Sequence, residues 1–395
     1  MSELSKKSGS ALGGALIIAG TCIGGGMLVL PVIPGVGGLY YSLLLFVACW
    51  LFMAATALLL FEVCLWMGKE TNIVSMAGRT LGPWGRGAAW ALYLFLFYSL
   101  TTAYCTGGGS IVKDLSGLGF SPWTGSVLFV LAFAPFVAMG AIFVDRINRW
   151  CVLGMALALS GFIALGLQEV DIRLWEHMDV RAALWGLPVI FGSFGFQGTV
   201  PSLVHYLRAD EKKVRFAIIF GSSIPLLTYV VWQALILGVV DADALLAAQK
   251  VGMNAVQPLK DVVQSQAVYT FGQFFAIFAL ISSFLGVTLG LKDFIADGFG
   301  IKKTPLGRVY IALLTFGPPL CFALLGPQIF TSAMQYAGGI GVALLLGLMP
   351  VLMVWRGRYS LGFEGRPQLG GGRVVLVLLI AFVCLELACE VWQLL

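Results

Sequence analysis

Long apolar runs separated by short polar segments extend along the whole chain. Each run is continuously apolar and does not alternate with polar residues, which favours membrane-spanning α-helices over the strands of a membrane barrel. About 20 helical residues are needed to cross a hydrocarbon core of roughly 30 Å. The pattern predicts eleven spanning segments, at approximately 11–36, 39–66, 87–112, 122–143, 150–167, 183–204, 216–239, 268–291, 309–324, 329–354 and 374–395.

Two of these segments are interrupted near their centres by poor helix formers. The first carries GTCIGGG at 20–26, and the sixth carries LPVIFGSFGFQGTVPSL at 187–203. Glycine costs about 1 kcal/mol and proline about 3 kcal/mol per helical residue relative to alanine. Unwound backbone cannot face lipid, because its amides and carbonyls would be unpaired. Both segments are therefore predicted to be broken helices that line a buried site, although Gly20-x-x-x-Gly24 also fits close packing of membrane helices.

The two interruptions are related by an internal repeat. Segments six to ten begin about 172 to 187 residues after segments one to five, as in transporters built from duplicated halves. Five is odd, so the second unit enters the bilayer inverted. The predicted fold is an all-α integral membrane protein with eleven transmembrane helices, in a 5+5 inverted repeat whose first and sixth helices are broken. Its parts are an N-terminal cytoplasmic tail (1–10), the first repeat (11–167), the second repeat (183–354), and a loop with an additional helix (355–395).

A broken helix offers two kinds of backbone group to a ligand. The amides that begin the second half suit a carboxylate, and the carbonyls that end the first half suit an ammonium group or a metal cation. A zwitterion satisfies both ends, so an α-amino acid is the predicted ligand. The candidate contacts in the first segment are Gly20, Thr21, Cys22, Gly24, Gly25 and Gly26.

Aromatic and polar side chains beside the breaks suggest the rest of the site. Phe194 and Phe196 could form the wall of a pocket for an apolar or aromatic side chain. The other candidates are Ser193, Gly195 and Gln197 in the sixth segment and Tyr98 and Thr102 in the third. Ser99 and Tyr104 are also polar there, and the sequence leaves the helix phase open. Core packing of the phenylalanines, and hydrogen bonding of Ser193 and Gln197 to the broken backbone, remain alternatives.

Few residues within the segments could handle a coupling ion. Ser282 and Ser283 form a hydroxyl pair that, with carbonyls from the first segment, could bind Na⁺ or a substitute. They could instead bond to the preceding helical turn. Of the carboxylates, Glu62 lies near the end of the second segment within reach of water. The eleventh segment holds two more, Glu386 and Glu390, which are interpreted as structural or interfacial, so no proton carrier is singled out.

Composition and charge narrow the classes of protein. Hydrophobic residues make up 59% of the chain and charged residues 11%, with a mean hydropathy of +0.94. With the N-terminus inside, 19 of the 24 lysines and arginines lie in inside segments, which predicts a cytoplasmic N-terminus and an external C-terminus. The net charge of +5 then reflects topology and implies no nucleic-acid partner. With two histidines, no Walker loop and no clustered carboxylates, the sequence predicts no enzyme, cofactor or metal site.

Four stretches carry a resemblance to a known family: GGALIIAGTCIGGGMLVLPV, LPVIFGSFGFQGTVPSLVHYL, FALISSFLGVTLGLKDFIADGF and YAGGIGVALLLGLMPVLMVWRGRY. Together they resemble the bacterial aromatic amino acid permeases, the tyrosine- and tryptophan-specific members of the hydroxy and aromatic amino acid permease family. The resemblance implies a fold like the bacterial leucine transporter, within the amino acid, polyamine and organocation superfamily. It also implies proton-coupled import, substrate contacts at 21–26 and 193–197, and a sodium-like position at Gly20, Ile23, Ser282 and Ser283. Members often have histidine where Gln197 stands.

The predicted function is import of an aromatic amino acid, tyrosine first, by proton symport through alternating access in a bacterial inner membrane. Its predicted partners are the amino acid and membrane lipid, and the oligomeric state is left open. The alternatives are a Na⁺-coupled transporter or exchanger of another amino acid, a non-transporting receptor, and a channel. A channel would need a continuous polar pore or charged rings.

Overall fold

The computed structural model describes residues 9–68, 72–116, 121–263, 265–301, 304–326 and 328–394, and no strand occurs within these ranges. In chain order the helices are α1 (Ala11–Cys22), α2 (Leu39–Met67), α3 (Ile73–Leu81), α4 (Pro83–Ser116), α5 (Pro122–Met139), α6 (Ala141–Gly166), α7 (Val180–Leu184), α8 (Leu187–Ser193), α9 (Val200–Tyr206), α10 (Glu211–Leu237), α11 (Ala242–Lys250), α12 (Leu259–Val262), α13 (Gln266–Gly298), α14 (Pro305–Ala323), α15 (Ile329–Tyr336), α16 (Met349–Tyr359) and α17 (Gly372–Leu394). A π-helical stretch, Ala337–Leu348, joins α15 to α16.

The predicted all-helical membrane fold is confirmed, with its first and sixth segments broken. Among the described residues, nine helical segments are long and apolar enough to cross a membrane, and two apolar helices, Ala11–Cys22 and Trp123–Met139, are shorter. The count of eleven spans therefore stays a prediction, as do the boundaries of the two repeats. The predicted tail 1–10 is described only at residues 9 and 10, and the lysines at 6, 7, 69, 302 and 303 lie outside the described residues.

Polar side chains at the ends of the apolar runs determine where several helices begin. The Ser10 hydroxyl accepts a hydrogen bond from the Gly13 amide at 2.9 Å at the start of α1. Asp210 accepts one from the Lys213 amide at the start of α10. Such N-caps satisfy amides that have no partner within the helix and are each worth about 1 kcal/mol.

Helix packing places the broken segments in the interior. The first half of segment one, α1, packs along α10, while α8 of segment six packs on the π-helical stretch and α2. The π-helical stretch also contacts α4 and α17, and α13 packs along α6. The largest side chains that are fully buried, among them Phe191, Phe194, Tyr229 and Trp232, surround these contacts. Both breaks therefore lie within the protein and not against lipid.

A buried ion pair joins α2 to α16 away from the breaks. Arg358 donates from Nε and Nη2 to the two carboxylate oxygens of Glu62, at 2.7 and 2.6 Å. The backbone amide of Gln368 donates to the same carboxylate at 2.7 Å. Glu62 is only 2% exposed, so it is held inside the protein. Its position near the end of the segment suggests contact with water, and the structure does not show that contact.

Candidate functional site

The first break lies in the stretch of glycines that the sequence singles out. Helix α1 ends at Cys22, and Ile23 and Gly24 adopt extended backbone conformations. The chain then forms a short 3₁₀-helix, Gly25–Leu28. Every residue from Gly24 to Val32 is buried. The unwound backbone is therefore enclosed by protein, as a bilayer requires.

Close approach of neighbouring helices explains why glycine occupies this break. A Cβ atom on Gly24 would collide with Ser283 Oγ of α13. A Cβ atom on Gly25 would lie 2.6 Å from Cε1 of Tyr104 on α4, and one on Gly26 would lie 3.0 Å from Ser193 Oγ of α8. The three glycines thus bring one short backbone segment against three different helices.

The two adjacent serines of α13 point to different partners. Ser283 Oγ accepts a hydrogen bond from the Gly25 amide at 2.9 Å. Ser282 donates to Asn148 Oδ1 on α6, away from the first break. The two hydroxyls, which were predicted to bind one ion together, therefore do not face the same space in this structure. Of the two, Ser283 contacts the unwound backbone.

The second break separates α8 from α9. Helix α8 ends at Ser193, and a 3₁₀ turn, Gln197–Thr199, precedes α9. Phe194 and Phe196 are fully buried. The Phe194 ring makes edge contacts with Tyr229 of α10 and Phe46 of α2, at centroid distances of 4.9 and 6.4 Å. Aromatic side chains therefore surround this break on the side of α10.

A tyrosine that the sequence did not single out joins the two breaks. The Tyr229 hydroxyl lies 2.6 Å from the carbonyl oxygen of Cys22 and 2.8 Å from that of Ser193. These carbonyls end α1 and α8, the first halves of the two broken segments. A hydroxyl has one proton, so the two carbonyls share it. No local signal marks Tyr229, which lies in the ordinary apolar run of α10.

Several predicted contacts lie close to this centre. Gly24, Gly25 and Gly26 face Ser283, Tyr104 and Ser193, and Cys22 contributes its carbonyl to Tyr229. Gly195 lies against Val342 of the π-helical stretch. The sequence leaves open which tyrosine of the third segment faces inward, and its candidate contact is Tyr98. In the structure Tyr104 lies beside the first break, where it is 6% exposed and close enough to interact with Ser283.

Other predicted contacts point elsewhere. Gly20 and Thr21 are exposed, and the Thr21 hydroxyl donates back to the Ile17 carbonyl. Tyr98 donates to the Leu314 carbonyl of α14 at 2.8 Å. Thr102 is buried within α4, where its carbonyl accepts from Thr106. Ile23 is partly buried and extends α1 by one hydrogen bond, from its amide to the Ala19 carbonyl.

Gln197 is turned away from the space between the breaks. Its Nε2 donates to Thr56 Oγ1 at 2.9 Å and lies 3.2 Å from the Met53 carbonyl, both on α2. Its Oε1 is buried and has no hydrogen-bond partner among the described residues. In this structure the side chain ties the second break to α2, and it does not bond to the broken backbone, which was the alternative to a substrate contact.

A cavity of about 500 Å³, here called the vestibule, lies beyond the first break in the chain direction. Its lining comes from the second half of segment one, the chain before α8, helix α11, and the start of α15, including Ile33, Ala182, Gln249 and Thr331. Met334 of α15 is 1% exposed, and its Cε would lie 3.4 Å from a Cβ atom on Gly26. Met334 therefore approaches the first break from the same helix that supplies Thr331 and Gln335 to the vestibule.

The family of the chain follows from comparison with known proteins. Residues 7–390 match the model of the tryptophan/tyrosine permease family. The chain belongs to this family of permeases. A permease moves a solute across the membrane. Broken helices such as these expose backbone groups that can bind a solute.

Two relatives show how far the similarity extends. The chain is 33% identical to tyrosine-specific transport system 1 of Haemophilus influenzae over 378 residues, covering 93% of this permease and 94% of the relative. It is 31% identical to the tryptophan-specific transport protein of the same organism, covering 98% and 97% of the two chains. The similarity therefore includes both broken segments.

A solved structure supports the fold. The manganese transporter of Eremococcus coleocola, in the crystal structure of one of its mutants, superposes with a TM-score of 0.65 at 16% identity, covering 97% of this permease and 86% of that chain. At such low identity the likeness concerns the arrangement of helices alone. That arrangement is the all-helical transporter fold which the two broken segments predict.

Proposed function

We propose that this permease is a secondary active transporter that imports an aromatic amino acid, tyrosine first, by symport with a proton. The observation that carries the proposal is the pair of buried helix breaks joined through Tyr229 in a chain of the tryptophan/tyrosine permease family. Transport proceeds by alternating access around these breaks. The membrane is the bacterial inner membrane, with the N-terminus in the cytoplasm and the C-terminus outside.

The two breaks offer complementary groups to a zwitterion. The first amides of a helical segment have no acceptor within that segment, and Gly25 and Gly26 hold this position in the first break. A substrate carboxylate accepts hydrogen bonds from these amides and from the Ser283 hydroxyl. In the structure the Gly25 amide donates to that hydroxyl. The ammonium group is attracted by the carbonyl ends of α1 and α8. The side chain lies beside Phe194, Phe196 and Tyr104, which suits an aromatic ring.

The vestibule provides the entry route. It is lined by segments that the charge pattern places outside the cell. Met334, on the same helix as the lining residues Thr331 and Gln335, lies beside Gly26. A flexible methionine can change its rotamer at low cost, which suits a movable barrier between vestibule and site. Substrate would therefore reach the first break from the external side.

Transport in proteoliposomes tests this proposal. Uptake of labelled tyrosine, tryptophan and phenylalanine is measured under a proton gradient alone, a sodium gradient alone, and no gradient. We expect accumulation of tyrosine with the proton gradient only, and competition by excess unlabelled tyrosine. Accumulation under the sodium gradient alone would replace the proton by Na⁺. Tight binding without uptake in any condition would refute transport and favour a receptor.

A further inference from the structure

Two carboxylates of α17 are buried on the same face of the helix. Glu386 is 0% exposed and Glu390 is 4% exposed. Residues four apart in a helix lie one above the other, so the two side chains are neighbours. Glu386 lies about 21 Å from the first and about 12 Å from the last residue of α17, at 1.5 Å per residue. Both side chains are therefore enclosed by protein, and Glu386 lies well inside the helix.

Three of the four carboxylate oxygens lack partners within the described part of the chain. Both oxygens of Glu386 and Oε2 of Glu390 are buried without a hydrogen bond. The groups that titrate and face Glu386 are Glu390, Cys49 of α2 and Cys389 of α17. The π-helical stretch and α8, which also pack on α17, contain no titratable side chain. The arginines of α16 are engaged elsewhere, with Glu62 and the Leu81 carbonyl.

Without a counter-charge, this pair is stable only when it holds a proton. An ionised carboxylate in an apolar interior costs several kcal/mol even after relaxation, and two adjacent negative charges repel each other as well. Such a pair shares protons as one unit. The site therefore binds a hydrogen ion, whereas the Glu62 carboxylate can remain charged because Arg358 neutralises it.

The pair is in contact with one of the broken segments through two glycines. A Cβ atom on Gly339 of the π-helical stretch would lie 2.8 Å from Glu390 Oε2 and 3.1 Å from Glu386 Oε1. On the adjacent residue, Gly338, a Cβ atom would collide with the Pro188 carbonyl of α8 and lie 2.9 Å from the Gly192 amide. Irregular π-helical backbone thus separates the carboxylates from α8, and such segments are often found at functional sites.

We propose that Glu386 and Glu390 form the proton-binding site of the transport cycle. The proposal rests on the proposed function as a proton symporter. A carboxylate of the pair binds a proton from one aqueous compartment and becomes a carboxylic acid. It later releases that proton to the other compartment and becomes a carboxylate again. The change in charge acts on the π-helical stretch and through Gly338 on α8, whose end at Ser193 is joined to α1 by Tyr229.

The test separates proton movement from substrate movement in reconstituted protein. Glu386→Gln and Glu390→Gln keep the size of the side chain but cannot release a proton. Glu364→Gln, an exposed carboxylate in the loop before α17, is the control. Three quantities are measured: substrate exchange in the absence of a gradient, accumulation under a proton gradient, and proton entry during uptake reported by a pH-sensitive dye inside the vesicles.

We expect both variants of the pair to exchange substrate within about threefold of the unmodified protein and to lose gradient-driven accumulation and proton entry. The Glu364→Gln control should keep all three. Normal proton entry in both Glu386→Gln and Glu390→Gln would overturn the proposal. If uptake by the unmodified protein does not depend on a proton gradient, proton symport itself is refuted. That result differs from normal proton entry in the variants, which refutes the proton site alone.

A spectroscopic measurement covers the case in which the variants do not fold. Infrared spectra of the unmodified protein at neutral pH should show the carbonyl band of a protonated carboxyl group, shifted in D₂O and altered by substrate. Absence of this band would overturn the proposal, because the buried pair is expected to hold a proton. Where the variants fold, the band should decrease in Glu386→Gln and Glu390→Gln and persist in Glu364→Gln.

Discussion

Replacing Tyr229 with phenylalanine removes the hydroxyl that joins the two helix breaks. The ring, which packs against Phe194 and Phe46, is retained. Tyr98→Phe is the control, since the Tyr98 hydroxyl also donates to the backbone, but to one carbonyl on α14, away from the breaks. The pair of variants therefore separates loss of a tyrosine hydrogen bond from loss of this particular connection.

The magnitude follows from what the Tyr229 hydroxyl satisfies. It lies 2.6 and 2.8 Å from two carbonyls, and both have negative oxygen ends directed at it. Without the shared proton the two dipoles repel, and a buried acceptor that loses its donor costs about 1–3 kcal/mol. If substrate binding requires both helix ends to be held together, affinity should fall by roughly 5-fold to 150-fold, at 1.4 kcal/mol per tenfold.

Substrate affinity and exchange rate are measured for both variants in detergent and in proteoliposomes. We expect Tyr229→Phe to weaken tyrosine binding within this range and to slow exchange, while Tyr98→Phe stays within about threefold of the unmodified protein. Equal affinity and exchange in the two variants would refute the idea that the breaks function as one site. A lower melting temperature in Tyr229→Phe with unchanged binding would reduce the hydroxyl to a role in stability.

Two further substitutions probe the first break and the buried ion pair. Gly25→Leu should abolish uptake, because a Cβ atom already lies 2.6 Å from the Tyr104 ring, while Gly20→Leu, where no atom lies within 4 Å, should keep it; normal uptake by Gly25→Leu would remove this glycine from the site. Glu62→Gln should reduce the free energy of unfolding by about 3–5 kcal/mol, because Arg358 is left buried and unpaired. Thermal stability compared with Glu364→Gln checks this, and equal melting temperatures would contradict it.

The breaks could be predicted from the sequence because their cause is local. Glycine and proline raise the cost of a helix wherever they stand, and a bilayer forbids exposed unwound backbone. The segment boundaries follow from apolar length in the same way. Both inferences depend only on residues that are neighbours in the chain.

The missed features depend on which segments meet in space. Tyr98 and Tyr104 are six residues apart and lie about 120° apart around a helix at 100° per residue, so they point in different directions. Apolar residues lie on every side of α4, so the sequence does not indicate which side of this helix faces the breaks. Tyr229 acquires its role from the approach of α1 and α8 to α10. Apolar residues likewise lie on every side of α17, so the sequence does not indicate whether Glu386 faces the protein or the lipid.

The hydrogen bond between the Gly25 amide and Ser283 has a consequence for the return of an unloaded carrier. A symporter must reorient without cargo after each delivery, and an unpaired amide in the interior would oppose that step by about 1–3 kcal/mol. Here the serine takes the place of the missing acceptor. The amide thus has a partner when the site is empty, and in the proposed cycle an arriving amino acid exchanges that partner for its carboxylate.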